Sequence, residues 1–198
     1  MNYNQSYLKK LLKNDFVSNE IKYNLDDLTE IIPEINSMIG FEHKHPHHHL
    51  DVWEHTLMAL SVSQNNFDIR LALLLHDIGK PHSYQEDGIF RRFQGHPDKS
   101  AEMARTILKR LEFDEDYISK ICRAIELHDT PLRGTFILEN PELSNLIFEM
   151  QKCDVIAHNP RFNNKRLQYV DNINQLFVYL AIPQEYHSEY AKDIELQK

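Results

Sequence analysis

Residues 71–81, LALLLHDIGKP, constrain the fold of this chain more than any other stretch. Leu71, Ala72, Leu73, Leu74 and Leu75 form an unbroken apolar run that calls for burial, and His76 and Asp77 follow it directly. A carboxylate taken into a dry interior costs several kcal/mol unless a hydrogen-bonded partner or a metal ion compensates it. The rest of the chain has to supply that compensation.

Hydrophobic periodicity is helical nearly throughout, which predicts an all-α fold. A short helix is expected over residues 4 to 14, and an amphipathic one over 25 to 39, interrupted by Pro33. Asp51 caps a helix running to about Gln64, with Glu54 as its capping-box partner. Asp68 caps the next, which Gly79 and Pro81 stop. Residues 82 to 95 read as a loop with a small hairpin around Asp87-Gly88. Pro97 starts a helix to about Leu111, Asp114 opens one to about His128, and Asn140-Pro141 opens one to about His158. Two more are expected over 161 to 181 and 184 to 196, and residues 40 to 50 form a histidine-rich loop.

Four of these helices carry a polar residue on the face that should point inward. His55 shares a stripe with Val52, Ala59 and Val62, and His76 follows Ile69 and Leu73. His128 follows Ile121 and Ile125, and Asp154 follows Leu143, Ile147 and Met150. A lone inward histidine is usually a satisfied core residue, and a lone aspartate caps a helix or meets an arginine. Four such residues would need four private partners, whereas one shared metal centre serves them all, and imidazole and carboxylate suit a divalent cation. Asp77 adds a carboxylate that can bridge two ions through its two oxygens. His96, which alone reads as a loop histidine, then joins His128 as a ligand of a second ion.

The chain has 198 residues and a formal charge of −8, from 22 basic and 30 acidic residues. That balance argues against a broad nucleic-acid surface, though it leaves room for a small basic pocket. No apolar run approaches the roughly 20 residues that span a bilayer, and the N-terminal stretch does not read as a signal peptide. Cys122 and Cys153 lack metal-type spacing and read as reduced core thiols, so a cytoplasmic protein is expected.

The ordered set His55, His76-Asp77, His96, His128 and Asp154 resembles the HD superfamily of metal-dependent phosphohydrolases, which the His-Asp pair names. DVWEHTLMAL, LALLLHDIGKP, FQGHPDKSAEMA and KCDVIAHNP are each similar to the corresponding family segments and stand in family order. The likeness covers roughly residues 25 to 180 and runs to the HD domain of bacterial CCA-adding tRNA nucleotidyltransferases and their stand-alone relatives. Nothing here resembles a nucleotidyltransferase head domain, so CCA addition is not implied. There is no GYP motif, and His128-Asp129 stands where some members carry consecutive histidines.

The resemblance implies a single compact helical bundle of about eight helices, with flanking N- and C-terminal helices. It implies hydrolysis of a phosphate ester of a nucleotide, cyclic nucleotide or RNA end. The alternatives are a nucleoside 5′-monophosphate phosphatase, a dinucleoside polyphosphate hydrolase, or a noncatalytic module with a structural metal. His55, His76, Asp77 and Asp154 would hold the first ion; His96, His128 and the other oxygen of Asp77 would hold a second. N/O ligation permits iron, manganese, cobalt, nickel or zinc. Asp77 and Lys80 are the expected catalytic residues. Lys80 either contacts phosphate or complements its helix dipole. Arg91, Arg92 and Arg133 are candidate phosphate contacts, with an exposed charged loop as the other reading of the first two. His47 or His48 can reach the pocket edge, but neither is assigned as a ligand. The expected partner is a small phosphorylated substrate, a nucleotide.

Overall fold

The computed structural model describes residues 3–181. The helix expected over 184 to 196 lies outside them. The N-terminal region is three short helices, α1 (Tyr3–Leu12), α2 (Val17–Tyr23) and α3 (Leu25–Ile31). Pro33 ends the α3 pattern as expected and opens a 3₁₀ turn, Pro33–Ser37. Then come α4 (Val52–Ser61), α5 (Phe67–Leu75) and the single turn α6 (Lys80–Ser83). A hairpin pairs β1 (Gln85–Glu86) with β2 (Arg91–Arg92), antiparallel, around Asp87-Gly88. The chain continues through α7 (His96–Arg110), α8 (Glu115–Glu126), α9 (Gly134–Glu139), α10 (Pro141–Ala157) and α11 (Asn164–Ala181). There are more helical segments than the eight expected, because the N-terminal region breaks into three and α6 and α9 stand apart.

α5 is the centre of the bundle. Its residues from Ile69 through Leu75 are all buried, and it packs against α4, α8 and α10. Buried apolar residues from Leu8 to Ile173 join in one cluster, so α1 and α2 share the core of the later helices. Arg70, 3% exposed, ties them together: its guanidinium donates to the Leu12 and Asn14 carbonyls at 2.7 and 2.8 Å and to Ser63 Oγ at 3.1 Å.

The start signals hold with two corrections. Asp51 caps α4, accepting from Glu54 N at 2.8 Å, but the Glu54 carboxylate turns to Lys22 at 2.8 Å rather than back to the cap. Asn66, not Asp68, caps α5; its side chain accepts from Asp68 N and Ile69 N. Asp68, two residues too late to cap, binds the Tyr117 hydroxyl and Lys120, each at 2.8 Å. Asp114 caps α8 as expected.

Gly79 does not simply stop α5, which ends at Leu75, and Pro81 sits in the first turn of α6. A Cβ on Gly79 would lie 2.5 Å from Ser100 N, so the glycine lets this corner press against α7. Its own N–H donates to Ser100 Oγ at 2.9 Å. The loop over 40–51 is pinned at three points: Val52 N donates to Phe41 O, Arg91 N to Lys44 O, and Asn159 N to His47 O. That anchoring lays the histidine-rich segment across the ends of α4 and α10. No helix among the described residues is long and apolar enough to cross a membrane.

Candidate metal centre

The fold brings all six predicted ligands together. His55 lies mid-way along α4, His76 and Asp77 just past α5, His96 at the first position of α7, His128 just past α8, and Asp154 in the last turns of α10. All are buried; His55, His76 and Asp77 are fully so. Their donor atoms form two overlapping clusters, His55–His76–Asp77–Asp154 and Asp77–His96–His128, each within 4.8 Å.

Asp77 divides its oxygens between the clusters. Oδ2 lies 3.3 Å from His76 Nε2 and 3.7 Å from His55 Nε2. Oδ1 lies 3.3 Å from His96 Nε2 and 3.9 Å from His128 Nε2. Asp154 Oδ1 closes the first cluster, 2.8 Å from His55 Nε2 and 3.5 Å from His76 Nε2.

Hydrogen bonding fixes which nitrogen each ring presents. The Nδ1 atoms of His76, His96 and His128 lie 2.7, 2.8 and 2.6 Å from the carbonyls of Leu73, Phe93 and Ile125. His55 Nδ1 lies 3.2 Å from the Ala157 carbonyl. A carbonyl only accepts, so each Nδ1 carries the proton, and a neutral ring then offers its Nε2 lone pair to the centre. His96 Nε2 and His128 Nε2 therefore meet lone pair to lone pair at 3.3 Å. His76 Nε2 and both Asp77 oxygens are buried with no hydrogen-bond partner. A protein interior leaves such atoms unpaired only where something else satisfies them. Converging lone pairs and carboxylate oxygens fit a divalent cation in each cluster, and the imidazole N–H to carbonyl bonds are the outer contacts that orient metal-binding histidines.

The carboxylates also draw protons to the imidazoles: burial pushes His76 down, but Asp77 and Asp154 outweigh it and raise it. Asp77 is held well below the usual carboxylate range: burial pushes it up, but His76, Lys80 and His96 outweigh burial. Asp154 is likewise held down, burial being outweighed by His158, His55 and His76. Burial lowers His128, although Asp129 opposes it. Two ionised carboxylates thus sit buried among imidazoles. Among the described residues the one ammonium against them is Lys80 Nζ, 2.7 Å from Asp77 Oδ2, near enough for an ion pair but off the angle of a hydrogen bond.

Lys80, 5% exposed, is held by a residue the sequence reading passed over. His43 Nδ1 bonds the Leu50 carbonyl at 2.9 Å, which leaves Nε2 to accept from Lys80 Nζ at 3.2 Å. Burial first, then Lys80, pushes His43 down to about 2, so it stays a neutral acceptor. His48 stacks on His43 at 3.7 Å and meets His158 at 4.5 Å. His47 and His48 both border the cavity.

A cavity of about 550 Å³ opens above the clusters, bordered by Lys80, Arg92, Asp129, His158 and Arg166. That volume lies within the range of small-molecule sites, roughly 300–1,000 Å³. The predicted arginines fare unevenly. Arg92 borders the cavity but pairs with Asp87 at 3.0 Å and is exposed. Arg91 also borders it, yet its guanidinium bonds Glu86 at 2.6 Å and the Glu42 carbonyl at 2.7 Å, over the Phe41 ring. Arg133 is exposed before α9 and does not line the cavity. Arg166 does line it, and nothing in the periodicity singled it out.

The family model of the HD domain matches residues 47–173, about two thirds of the chain. The chain belongs to the HD domain family. HD domains bind divalent metals, and this family forms a superfamily of metal-dependent phosphohydrolases. Among curated relatives, a CC-adding tRNA nucleotidyltransferase of Thermus thermophilus is 32% identical over 134 residues, 60% of this chain and 30% of that protein. A multifunctional CCA protein of Legionella pneumophila is 33% identical over 96 residues, 46% of this chain and 23% of that one. An A-adding tRNA nucleotidyltransferase of Deinococcus radiodurans is 35% identical over 88 residues, 41% of this chain and 20% of that one. The HD domain described here spans less than a third of each of these relatives, and their names concern nucleotide addition rather than hydrolysis.

Proposed function

We propose that the protein is a metal-dependent phosphohydrolase that cleaves a phosphate ester of a nucleotide, cyclic nucleotide or RNA end. The observation that carries this is the set of buried atoms without a hydrogen bond, His76 Nε2 and both Asp77 oxygens, in clusters whose members His96, His128 and Asp154 line an open cavity. His55, His76, Asp154 and Asp77 Oδ2 would hold one ion, and His96, His128 and Asp77 Oδ1 a second. Bound divalent ions would supply a water acidified toward neutrality and neutralise the phosphoryl oxygens, with iron, manganese, cobalt, nickel and zinc all compatible with the donors.

The chain's own contribution is positioning. Asp77 sets the spacing of the two clusters through one carboxylate. Lys80 is held by a hydrogen bond to His43 Nε2 and an ion pair with Asp77, which leaves N–H groups for a phosphoryl oxygen at the cavity floor. Water attacks phosphorus, the P–O bond to the alcohol breaks, and the water's proton passes to the departing oxygen. An open cavity over the clusters favours this over a purely structural metal, which closed sites serve. Cys122 and Cys153, buried and unpaired, suit a reducing compartment such as the cytoplasm.

The test is elemental analysis of untagged protein purified without chelator, followed by a phosphate-ester screen with the metal found. About two ions per chain and hydrolysis lost in Asp77→Ala are expected. A metal-replete parent that hydrolyses no phosphate ester would remove the enzymatic reading.

A further inference from the structure

Arg166 stands where the main cavity meets a smaller side pocket of about 230 Å³, and it lines both. It is half-buried, and among the described residues its guanidinium makes no ion pair or hydrogen bond. Its charge reaches the site, opposing protonation of His45 and of His158. Partly burying an unpaired guanidinium is unfavourable, whereas an anionic oxygen delivered by a ligand would satisfy it bidentately.

The other polar groups of the side pocket are engaged. Tyr169 OH donates to Gln151 Oε1 and accepts from Leu132 N, each at 2.9 Å. Gln151 Nε2 donates to the His128 and Thr130 carbonyls at 3.0 and 2.8 Å. Asp129, at the junction, leans toward His96 and His128 at 3.5 and 3.9 Å. The charged donors left for a ligand are Arg166 and Lys165, on the side of the cavity that Lys80 does not serve. Lys80 borders the main cavity but not the side pocket, so Arg166 and Lys165 offer charge to a group that Lys80 does not border.

We propose that Arg166 is a substrate-binding residue for a second phosphate, so that the ligand is a nucleotide carrying at least two phosphate groups. This rests on the phosphate-ester reading of the metal centre. The second phosphate belongs either to a polyphosphate chain or to the phosphodiester one nucleotide back along an RNA end. A nucleoside 5′-monophosphate has none to offer.

The test is calorimetry on manganese-loaded protein with phosphorothioate forms of three probes: 3′-AMP with one phosphate, ADP with two adjacent, and the dinucleotide ApAp with two a nucleotide apart. The parent should bind ADP or ApAp about 10–100-fold more tightly than 3′-AMP, the span expected of charge-assisted hydrogen bonds. Arg166→Met should remove most of that preference, and Arg166→Lys should keep part of it. A gain for ADP identifies a polyphosphate ligand, and a gain for ApAp an RNA end. Equal affinity for all three in the parent, or an equal loss for all three in Arg166→Met, would overturn the proposal. Preferential binding that is intact in the parent and lost in Arg166→Met, without hydrolysis of any probe's natural form, would remove the hydrolase reading and uphold this one.

Discussion

If Asp77 serves both clusters, its substitution should cost two metal sites and the loss of His128 only one. A ligand that binds only the folded state adds RT ln(1 + [L]/Kd), ~2.7 kcal/mol at 100 times Kd. For a chain of this length each kcal/mol moves Tm by ~2–4 °C, so one filled site raises it by ~5–11 °C and two by about twice that. Asp77→Asn keeps the shape but offers one neutral oxygen where two charged ones stood. Even a loss of ~100-fold per site, the upper end for outer contacts alone, leaves ~0.4 kcal/mol at the same free metal. The increment then shrinks to ~1–2 °C per site. His128→Ala removes a donor from the second cluster only and should retain about half the parental increment. Lys80 loses its carboxylate in Asp77→Asn, with Nζ left on His43 alone, so the metal-free Tm will move too. The quantity to compare is therefore the difference between scanning fluorimetry runs with metal and with chelator. An undiminished increment in Asp77→Asn would refute the shared carboxylate, and a complete loss in His128→Ala would refute the division into two clusters.

Other consequences can be checked in the same preparations. Lys80→Met should lower kcat by ~10²-fold while leaving the metal increment in place, since Lys80 acts on developing phosphoryl charge rather than on the ions; a lost increment would make its role structural. Gly79→Ala should destabilise the fold by ~1–3 kcal/mol, because its Cβ would meet backbone at 2.5 Å, and an unchanged denaturation midpoint would contradict that contact. Stability of the metal-free chain should fall with acid. His43 and His158 drop from 6.5 to about 2 and about 4 on burial, so below about 6.5 the unfolded chain takes up protons that the folded chain refuses. Each contributes a slope approaching ~1.4 kcal/mol per pH unit, His158 down to about 4 and His43 beyond. Urea midpoints that hold steady between pH 6.5 and 5 would show that these rings are not buried neutral.

The part of the site that the sequence made legible is the part carried by helices. His55, His76, His128 and Asp154 each fell on an apolar stripe of period 3.6, and the structure brings those stripes to two clusters that share Asp77. His96 alone reads as a loop histidine and enters only because a second ion needs more ligands than His128. The rest depends on loops, whose paths no periodicity records. His43 and His48 reach the centre because the segment over 40–51 is bonded to the hairpin and to the end of α10. Arg91 was a reasonable rim residue until β1 set Glu86 beside it, at 2.6 Å. Arg166 lies early in α11, a helix with a single buried residue, Ile173, so its face gave no inward signal. Asn66 and Asp68 are both competent caps by type, and only the backbone decides between them.

The same tautomer appears in every predicted histidine ligand, and the local fold enforces it without help from distant residues in three of them. His76 and His128 lie at helix C-termini and donate Nδ1–H to the carbonyl three residues back, Leu73 and Ile125. His96 does so to Phe93 across the turn that opens α7. That turn needs Gly95 in the left-handed region, at φ 76°, where glycine alone is unstrained. Each bond raises the basicity of the opposite nitrogen and fixes the ring plane. Three Nε2 lone pairs are therefore aimed by short-range geometry before any ion arrives. Only His55 depends on a partner far along the chain, the Ala157 carbonyl at the end of α10. The first cluster, which also needs Asp154 from α10, should accordingly assemble only when α10 docks on α4. A chain truncated before α10 should keep the Nδ1 bonds of the other three histidines yet lose the first ion. Retention of both ions by such a chain, if it stays folded by circular dichroism, would contradict this order of assembly.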